Sequence, residues 1–247
     1  MRWRKSHDVP MEDEDPYWKS FVDIMSALLV LFILASVVLI LQLMEKSADF
    51  DQQVEQLKKA ETVRQQILDE AVEKLRQRGI KVEVSENHTV LRIPNELLGF
   101  DTGAFEIQPR YQPTALEIGE VINQVISRED RVNYLDTIFI EGHTDNRPFQ
   151  GFMGKGNWGL STFRAISLWQ FWSTEMPEAE RLNRLSNQDG EPLFSVSGYA
   201  ETRPVSKRQD GEEDYRLNRR IDIRFTIRRP QSSEYEAVKS LLGNSTK

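Results

Sequence analysis

The chain has 247 residues, a formal net charge of −7 and no cysteine. The acidic balance argues against a general nucleic-acid binder, and the missing thiols exclude disulfides, zinc–thiolate sites and cysteine nucleophiles. The length admits one membrane helix, a connecting segment and one domain of ordinary size.

In chain order, residues 1–16 are polar and charged, end in Pro16 and read as a tail. The stretch Phe21–Leu41 is apolar, with Asp23 as its one charge. At about 1.5 Å rise per residue, the uncharged run Ile24–Leu41 spans roughly 27 Å, close to the hydrocarbon thickness of a bilayer. Tyr17 and Trp18 precede it, where amphipathic rings favour the membrane interface. A transmembrane helix is therefore expected over 17–43. It does not read as a cleaved signal: the run is too long, the acidic tract Glu12–Asp15 precedes it, and no small-x-small pattern follows. Arg2, Arg4, Lys5 and Lys19 before the span, against Lys46, Lys58 and Lys59 after it, favour a cytoplasmic N-terminus by a small margin.

Asp23 admits two readings. It lies near Lys19 and marks the membrane boundary, or it sits within the span and carries an ion, because burial raises a carboxyl pKa towards neutrality. Ser26 is an ion ligand or a small residue for close helix packing. One helix makes no pore, so an ion carrier needs further helices from a second copy, another subunit, or both.

From Tyr17 to Arg78 there is neither Pro nor Gly, so the membrane helix is expected to run on through a linker at 44–79. Phe50, Val54, Leu57, Leu68, Ala71 and Leu75 recur near helical spacing, but Glu61 and Arg64 interrupt the seam. This fits a loose dimeric coiled coil or a helix lying on a neighbour. Gly79, after Arg76 and Arg78, supplies a C-terminus.

Residues 80–229 read as an α/β domain. Ile80–Val84 and Thr89–Ile93 alternate around a turn at Ser85–His88. Ala115–Ile126 is a helix, Leu135–Glu141 a strand ending at Gly142, Ser161–Trp172 a helix and Leu193–Gly198 a strand. Arg220–Arg228 alternates, with Ile221, Ile223, Phe225 and Ile227 inward and Asp222, Arg224, Thr226 and Arg228 outward. The alternation of strands and helices points to a βαβ-type sheet with helices on one face. Residues 230–247 read as a tail with a weak helix around Val238–Leu242.

Three stretches carry chemistry: Glu141–Asn146 after a strand, Asn157–Ala165 opening a helix, and Asn218-Arg219-Arg220 before the last strand. With Ser161 as N-cap, Arg164 falls in the first helical turn, where the dipole disfavours a cation. It either serves a ligand or pairs internally, with Asp145 or Asp222. Asp145 lies at a strand's C-terminal end, where sites in α/β sheets open, or makes an Asx turn. An Asp and an Arg facing one cleft suit a ligand with both an ammonium and a carboxylate. Asn157 and nearby amides are candidates to complete the site.

These stretches resemble the OmpA-like peptidoglycan-binding domain. Its pattern appears as Phe100-Asp101-Thr102-Gly103, Gly142-His143-Thr144-Asp145, residues 157–165, Gly198-Tyr199 with Pro204, and Asn218-Arg219-Arg220. The resemblance implies that Asp145 and Arg164 hold the zwitterionic end of diaminopimelate in the cell-wall stem peptide, that Thr144, Asn157, Leu160 and Arg220 belong to the same site, and that the domain is periplasmic. The long loop Arg147–Gly156, with Phe149, Phe152 and Met153, departs from the pattern and caps the cleft or serves another partner. Trp18–Phe32 is similar to the single helix of MotB-type stator subunits. That resemblance implies a homodimer inside a pentameric ring of multi-span MotA-like subunits in the inner membrane, with Asp23 binding the moving ion. The compact linker and acidic start look more like the ZorB subunits of Zorya anti-phage systems, paired with ZorA, than like flagellar stator subunits. A passive wall tether is the alternative outside the motors.

No enzyme reading is supported. The three histidines are His7, His88 and His143, no serine sits in a nucleophile elbow, and Gly154-Lys155 lacks P-loop spacing. His143 and Asp145 alone make no metal site. No cofactor is expected.

Overall fold

The computed structural model describes residues 16–85, 87–101, 103–151 and 154–230. The expected tails, including the Val238–Leu242 helix, and Phe152 and Met153 of the loop lie outside the described residues, apart from Pro16 and Pro230.

Helix α1 covers Pro16–Gln77 without a break, as the absence of Pro and Gly beyond Pro16 predicts. The chain divides into two compact units, Met1–Gln52 and Gln53–Lys247. In the first, the helix is long and apolar enough to cross a membrane, and its large side chains, Leu31 and Phe32 among them, are exposed. Trp18 stacks on Phe21 with ring centroids 5.9 Å apart. Asp23 is exposed on this helix. The Ser26 hydroxyl donates to the Val22 carbonyl at 2.7 Å, which leaves its oxygen lone pairs able to accept.

The second unit begins inside the segment expected to be a linker. Ala60, Ile67, Leu68, Ala71 and Leu75 of α1 are buried, and the last four of these join the core of the α/β domain. The compact unit that holds the α/β domain thus reaches back to Gln53, into the segment 44–79 expected as a linker. This part of α1 lies on its own domain, and Phe50 and Leu57 of the expected seam stay exposed. Glu70 adds ion pairs with Arg128 and Arg131, and Arg78 pairs with Glu120. Gly79, at φ +80°, closes the helix: its N–H reaches Arg76 O, and that of Ile80 reaches Leu75 O. We predict that Leu68→Ala lowers stability by about 3 kcal/mol and that Leu57→Ala leaves it unchanged, as read by chemical denaturation. Equal effects would place the domain edge after α1.

The sheet has five strands in the order β1-β2-β5-β3-β4. They are β1 (Glu83–Val84), β2 (Val90–Pro94), β3 (Leu135–His143), β4 (Phe194–Gly198) and β5 (Arg220–Ile227). The β1–β2 hairpin has the expected turn, with a shorter first strand. β3 and β4 are parallel, joined through helix α4 (Gly156–Glu175), and the other pairs are antiparallel. This single βαβ crossover sits in an otherwise antiparallel sheet. Helix α3 (Gln112–Ile126) and α4 pack together, with Ile118, Ile122, Leu168 and Trp172 in one core with Leu91, Ile138, Ile140, Ile223 and Phe225. Trp172 Nε1 donates to the Ala115 carbonyl at 2.7 Å. Two short helices escaped the sequence reading, α2 (Asn95–Leu98) and α5 (Glu212–Asn218); both are too short for periodicity to register.

Two differences from the expected pattern bear on the site. Helix α4 begins at Gly156, not after an N-cap at Ser161. In β5 the expected outward face is not all open: Asp222 is 3% exposed. Arg92 and Arg220 pair with it there, so a charged residue is buried by its own counter-ions.

Candidate functional site

The open ends of β3 and β4 meet the first turns of α4 at very short range. A Cβ on Gly142 would lie 1.9 Å from the Ser161 carbonyl oxygen, and one on Gly198 would lie 2.2 Å from Thr162 Oγ1. Glycine at both places lets α4 rest on the strand ends. Ser161 ties the junction: its hydroxyl donates to Trp158 O and accepts from the Ala200 N–H, each at 3.0 Å. Its part is therefore to join α4 to the chain after β4.

This packing forms a cleft of about 80 Å³, lined by Gly103, Thr144, Asp145, Arg147, Pro148, Phe149, Asn157, Leu160, Arg164 and Arg219. It brings together Thr144, Asp145, Asn157, Leu160 and Arg164 as the sequence led us to expect. Arg164 lies beyond the first turn of α4, so the argument from an unfavourable helix dipole does not hold. Its oddity is burial: it is 2% exposed. It forms no ion pair with Asp145 or Asp222 among the described residues; instead its Nε donates to Ala104 O at 2.9 Å and its Nη2 to Asp101 O at 3.0 Å. Burial, then the nearby Arg219 charge, pull its pKa down to about 10, while Asp145 opposes the shift. The group stays cationic at neutral pH.

Asp145 makes the Asx turn, accepting the Arg147 N–H at 3.1 Å, and is also gripped by two guanidiniums. Arg147 Nη2 lies 2.7 Å and Arg219 Nη1 2.9 Å from its Oδ2. Burial pushes its carboxyl up, but the hydrogen bonds from Arg147 and Arg219 outweigh that and hold it below the ordinary range. Asn157 serves the backbone: its Nδ2 donates to the carbonyls of Asp145 and Arg147. Thr144 Oγ1 is buried with no hydrogen-bond partner among the described residues, an unmet demand at the cleft.

Arg220 does not line this cleft. It is buried, with Nε 3.0 Å from both oxygens of Asp222 and Nη2 donating to Arg203 O. Its neighbour Arg219 faces the cleft. Arg147, Pro148 and Phe149 of the lining belong to the loop expected to cap the cleft or serve another partner, and Arg219 is a lining residue to which sequence reasoning gave no role of its own. The signal for Arg219 lay in the Asn-Arg-Arg triplet, but Arg219 caps α5 outside the strand, so alternation could not separate it from Arg220.

Glu141, His143 and Asp222 bring ligand-type atoms within 4.8 Å of one another. Glu141 is held by Arg224 through two contacts, at 2.7 and 2.8 Å, and Asp222 by Arg220 and Arg92. A metal would have to displace these guanidiniums. Burial, with the charges of Arg220, Arg203, Arg224 and Arg92, lowers the His143 pKa to about 2, so the imidazole near Asp222 is neutral and makes no ion pair.

No protein-family model matches the chain. The chain is 25% identical over 163 residues to Motility protein B of Bacillus subtilis, covering 66% of this chain and 54% of that protein. It is 25% identical over 169 residues to the uncharacterized protein YtxE of the same organism, covering 67% and 61%. The chain thus spans only 54–61% of the length of these curated relatives. A crystal structure of a Desulfovibrio vulgaris protein described as MotB-like superimposes with a TM-score of 0.50 at 20% identity, over 70% of this chain and 99% of that one. The chain, a long apolar N-terminal helix followed by a mixed α/β domain, is thus similar in sequence to Motility protein B over the matched part and similar in fold to the MotB-like structure.

Proposed function

We propose that the chain is the B subunit of an ion-driven motor, anchored in the inner membrane with its N-terminus cytoplasmic and its α/β domain periplasmic. The observation that carries the reading is the meeting in one cleft of Asp145, Arg164 and the Thr144 hydroxyl, which has no hydrogen-bond partner among the described residues, in a chain whose apolar helix bears Asp23. A cleft with an anion, a buried cation and a spare hydroxyl matches the zwitterionic centre of diaminopimelate. Arg164 takes the carboxylate, Asp145 the ammonium, and Leu160 packs on the aliphatic stem. In a homodimer surrounded by a pentamer of multi-span MotA- or ZorA-like subunits, Asp23 trades water for neighbouring helices and loads an ion, with Ser26 as an oxygen ligand. One charge moving through 100 mV yields about 2.3 kcal/mol. The acidic tract Glu12–Asp15 and the compact linker support a Zorya-type anti-phage motor over a flagellar one.

We predict that Asp23→Asn, expressed with its multi-span partner, abolishes protection against phage by at least about tenfold in plaquing efficiency while wall binding is unchanged. Wild-type protection by this variant would leave a passive tether. The similarity to Motility protein B favours a second reading, a flagellar stator; restored swimming in a stator-deficient strain would select it.

A further inference from the structure

Asp145 has no oxygen to spare for a ligand ammonium. Its Oδ1 accepts from Arg147 N (3.1 Å) and Nε (3.2 Å). Its Oδ2 accepts from Arg147 Nε (3.2 Å), Arg147 Nη2 (2.7 Å) and Arg219 Nη1 (2.9 Å). A carboxylate offers about four lone-pair directions, so these contacts saturate it. Arg147 supplies most of them. It opens the loop that departs from the family pattern, and two residues later Phe149 stands at the cleft, close enough that a Cβ on Gly103 would meet its ring at 2.9 Å.

The two guanidiniums are not equally movable. Arg219 is 19% exposed and anchored to Glu212 Oε1 at 2.7 Å, whereas Arg147 is 43% exposed. Arg147 also has an alternative resting place. Its guanidinium lies 4.6 Å from the Tyr215 ring centroid and 3.4 Å from Glu212 Oε2, so it can leave Asp145 and keep an aromatic face and a carboxylate. Around the cleft, the three guanidiniums of Arg147, Arg164 and Arg219 face two carboxylates, Asp145 and Glu212. A lone ammonium is repelled there. A ligand that also brings a carboxylate to Arg164 is not.

We propose that Arg147 is a built-in competitor for the ligand ammonium: it occupies Asp145 in the empty cleft, and only a ligand bearing both charges displaces it. This rests on the reading of the cleft as a diaminopimelate site: Arg147 sets the affinity threshold, and the extra carboxylate held by Arg164 lets such stem peptides pass it where those with lysine in the same place do not. The apparent affinity is reduced by the fraction of molecules in which Arg147 is away from Asp145. If that fraction is at most about 10%, removing the guanidinium tightens binding by about tenfold or more.

The test is calorimetric titration of the full chain in detergent with three muropeptides: one carrying meso-diaminopimelate, the same peptide with its side-chain amine acetylated, and one carrying lysine. Arg147→Ala and Arg147→Gln are expected to bind the diaminopimelate peptide about tenfold tighter than wild type. Both are expected to gain measurable binding to the lysine peptide, and neither to gain for the acetylated one; Arg147→Lys stays near wild type. If wild type binds and both neutral variants bind equally or more weakly, Arg147 is a ligand contact and the competitor role is overturned alone. A gain that persists for the acetylated peptide overturns it too. If neither wild type nor the neutral variants bind, the diaminopimelate reading falls with it.

Discussion

Replacing Asp145 with alanine is expected to abolish cosedimentation of the chain with purified peptidoglycan at a stability cost of no more than about 2 kcal/mol. Among the described residues lining the cleft Asp145 is the one acidic group, and without it the ligand ammonium meets guanidiniums whose remaining partner, Glu212, lies outside the lining. The fold survives because both arginines keep Glu212 as a partner. Unfolding of the variant would mean that Asp145 is structural. The pH dependence follows from the same contacts. The folded pKa of Asp145 lies below the ordinary value of 3.8, so its contribution is fully present above that value and is lost only as pH falls through the lower folded value. Binding should hold level from neutral pH to about pH 4 and fail below it. A fall centred near pH 6.5 would require a histidine in the cleft; His143, held at about 2, does not titrate there.

Arg220→Ala is expected to destabilise the domain by about 3–5 kcal/mol, lowering its unfolding temperature by about 6–20 °C. The arginine and Asp222 are both 4% exposed at the side chain, and removal of one leaves the other buried with only Arg92 at 3.4 Å. Arg219→Ala, one residue away, should cost about 1 kcal/mol or less, because its partner Glu212 is exposed and its buried partner Asp145 keeps Arg147, and should act on ligand binding. Differential scanning fluorimetry and sedimentation with peptidoglycan separate the two. If Arg220→Ala lost binding without losing stability, it would be a ligand contact after all.

The pair also marks the limit of what sequence could say. Arg219 and Arg220 are chemically identical neighbours in one motif, and only the phase at which α5 hands the chain to β5 decides which faces the cleft. Arg164 was singled out for a wrong reason. The helix was started at Ser161 because a serine before an apolar face is a common N-cap, but α4 begins at Gly156, and the serine hydroxyl instead joins the chain after β4. The packing of Ile67, Leu68, Ala71 and Leu75 is not legible in sequence because they occupy a short patch on a mostly polar helix, and their partners come from elements far along the chain. Asp222 read as outward because alternation is blind to a face covered by counter-ions.

Local order determined what was legible from residues alone. The absence of breakers gave one continuous α1, an uncharged run long enough for a bilayer begins just after Asp23, two periodicities separated strands from helices, and the resemblance to the OmpA-like domain gave Asp145 and Arg164 their expected roles. Tertiary structure alone decided the partners: that Arg164 rests on backbone carbonyls, that Asp145 is saturated by Arg147 and Arg219, that Arg220 belongs to a buried ion cluster, and that Ile67, Leu68, Ala71 and Leu75 of the linker join the core. Among these contacts are ones between groups 60 or more residues apart, as Arg164 is from Ala104 and Arg219 from Asp145. Which charge meets which depends on the register and packing of whole elements, and neither is written in any short window of the chain.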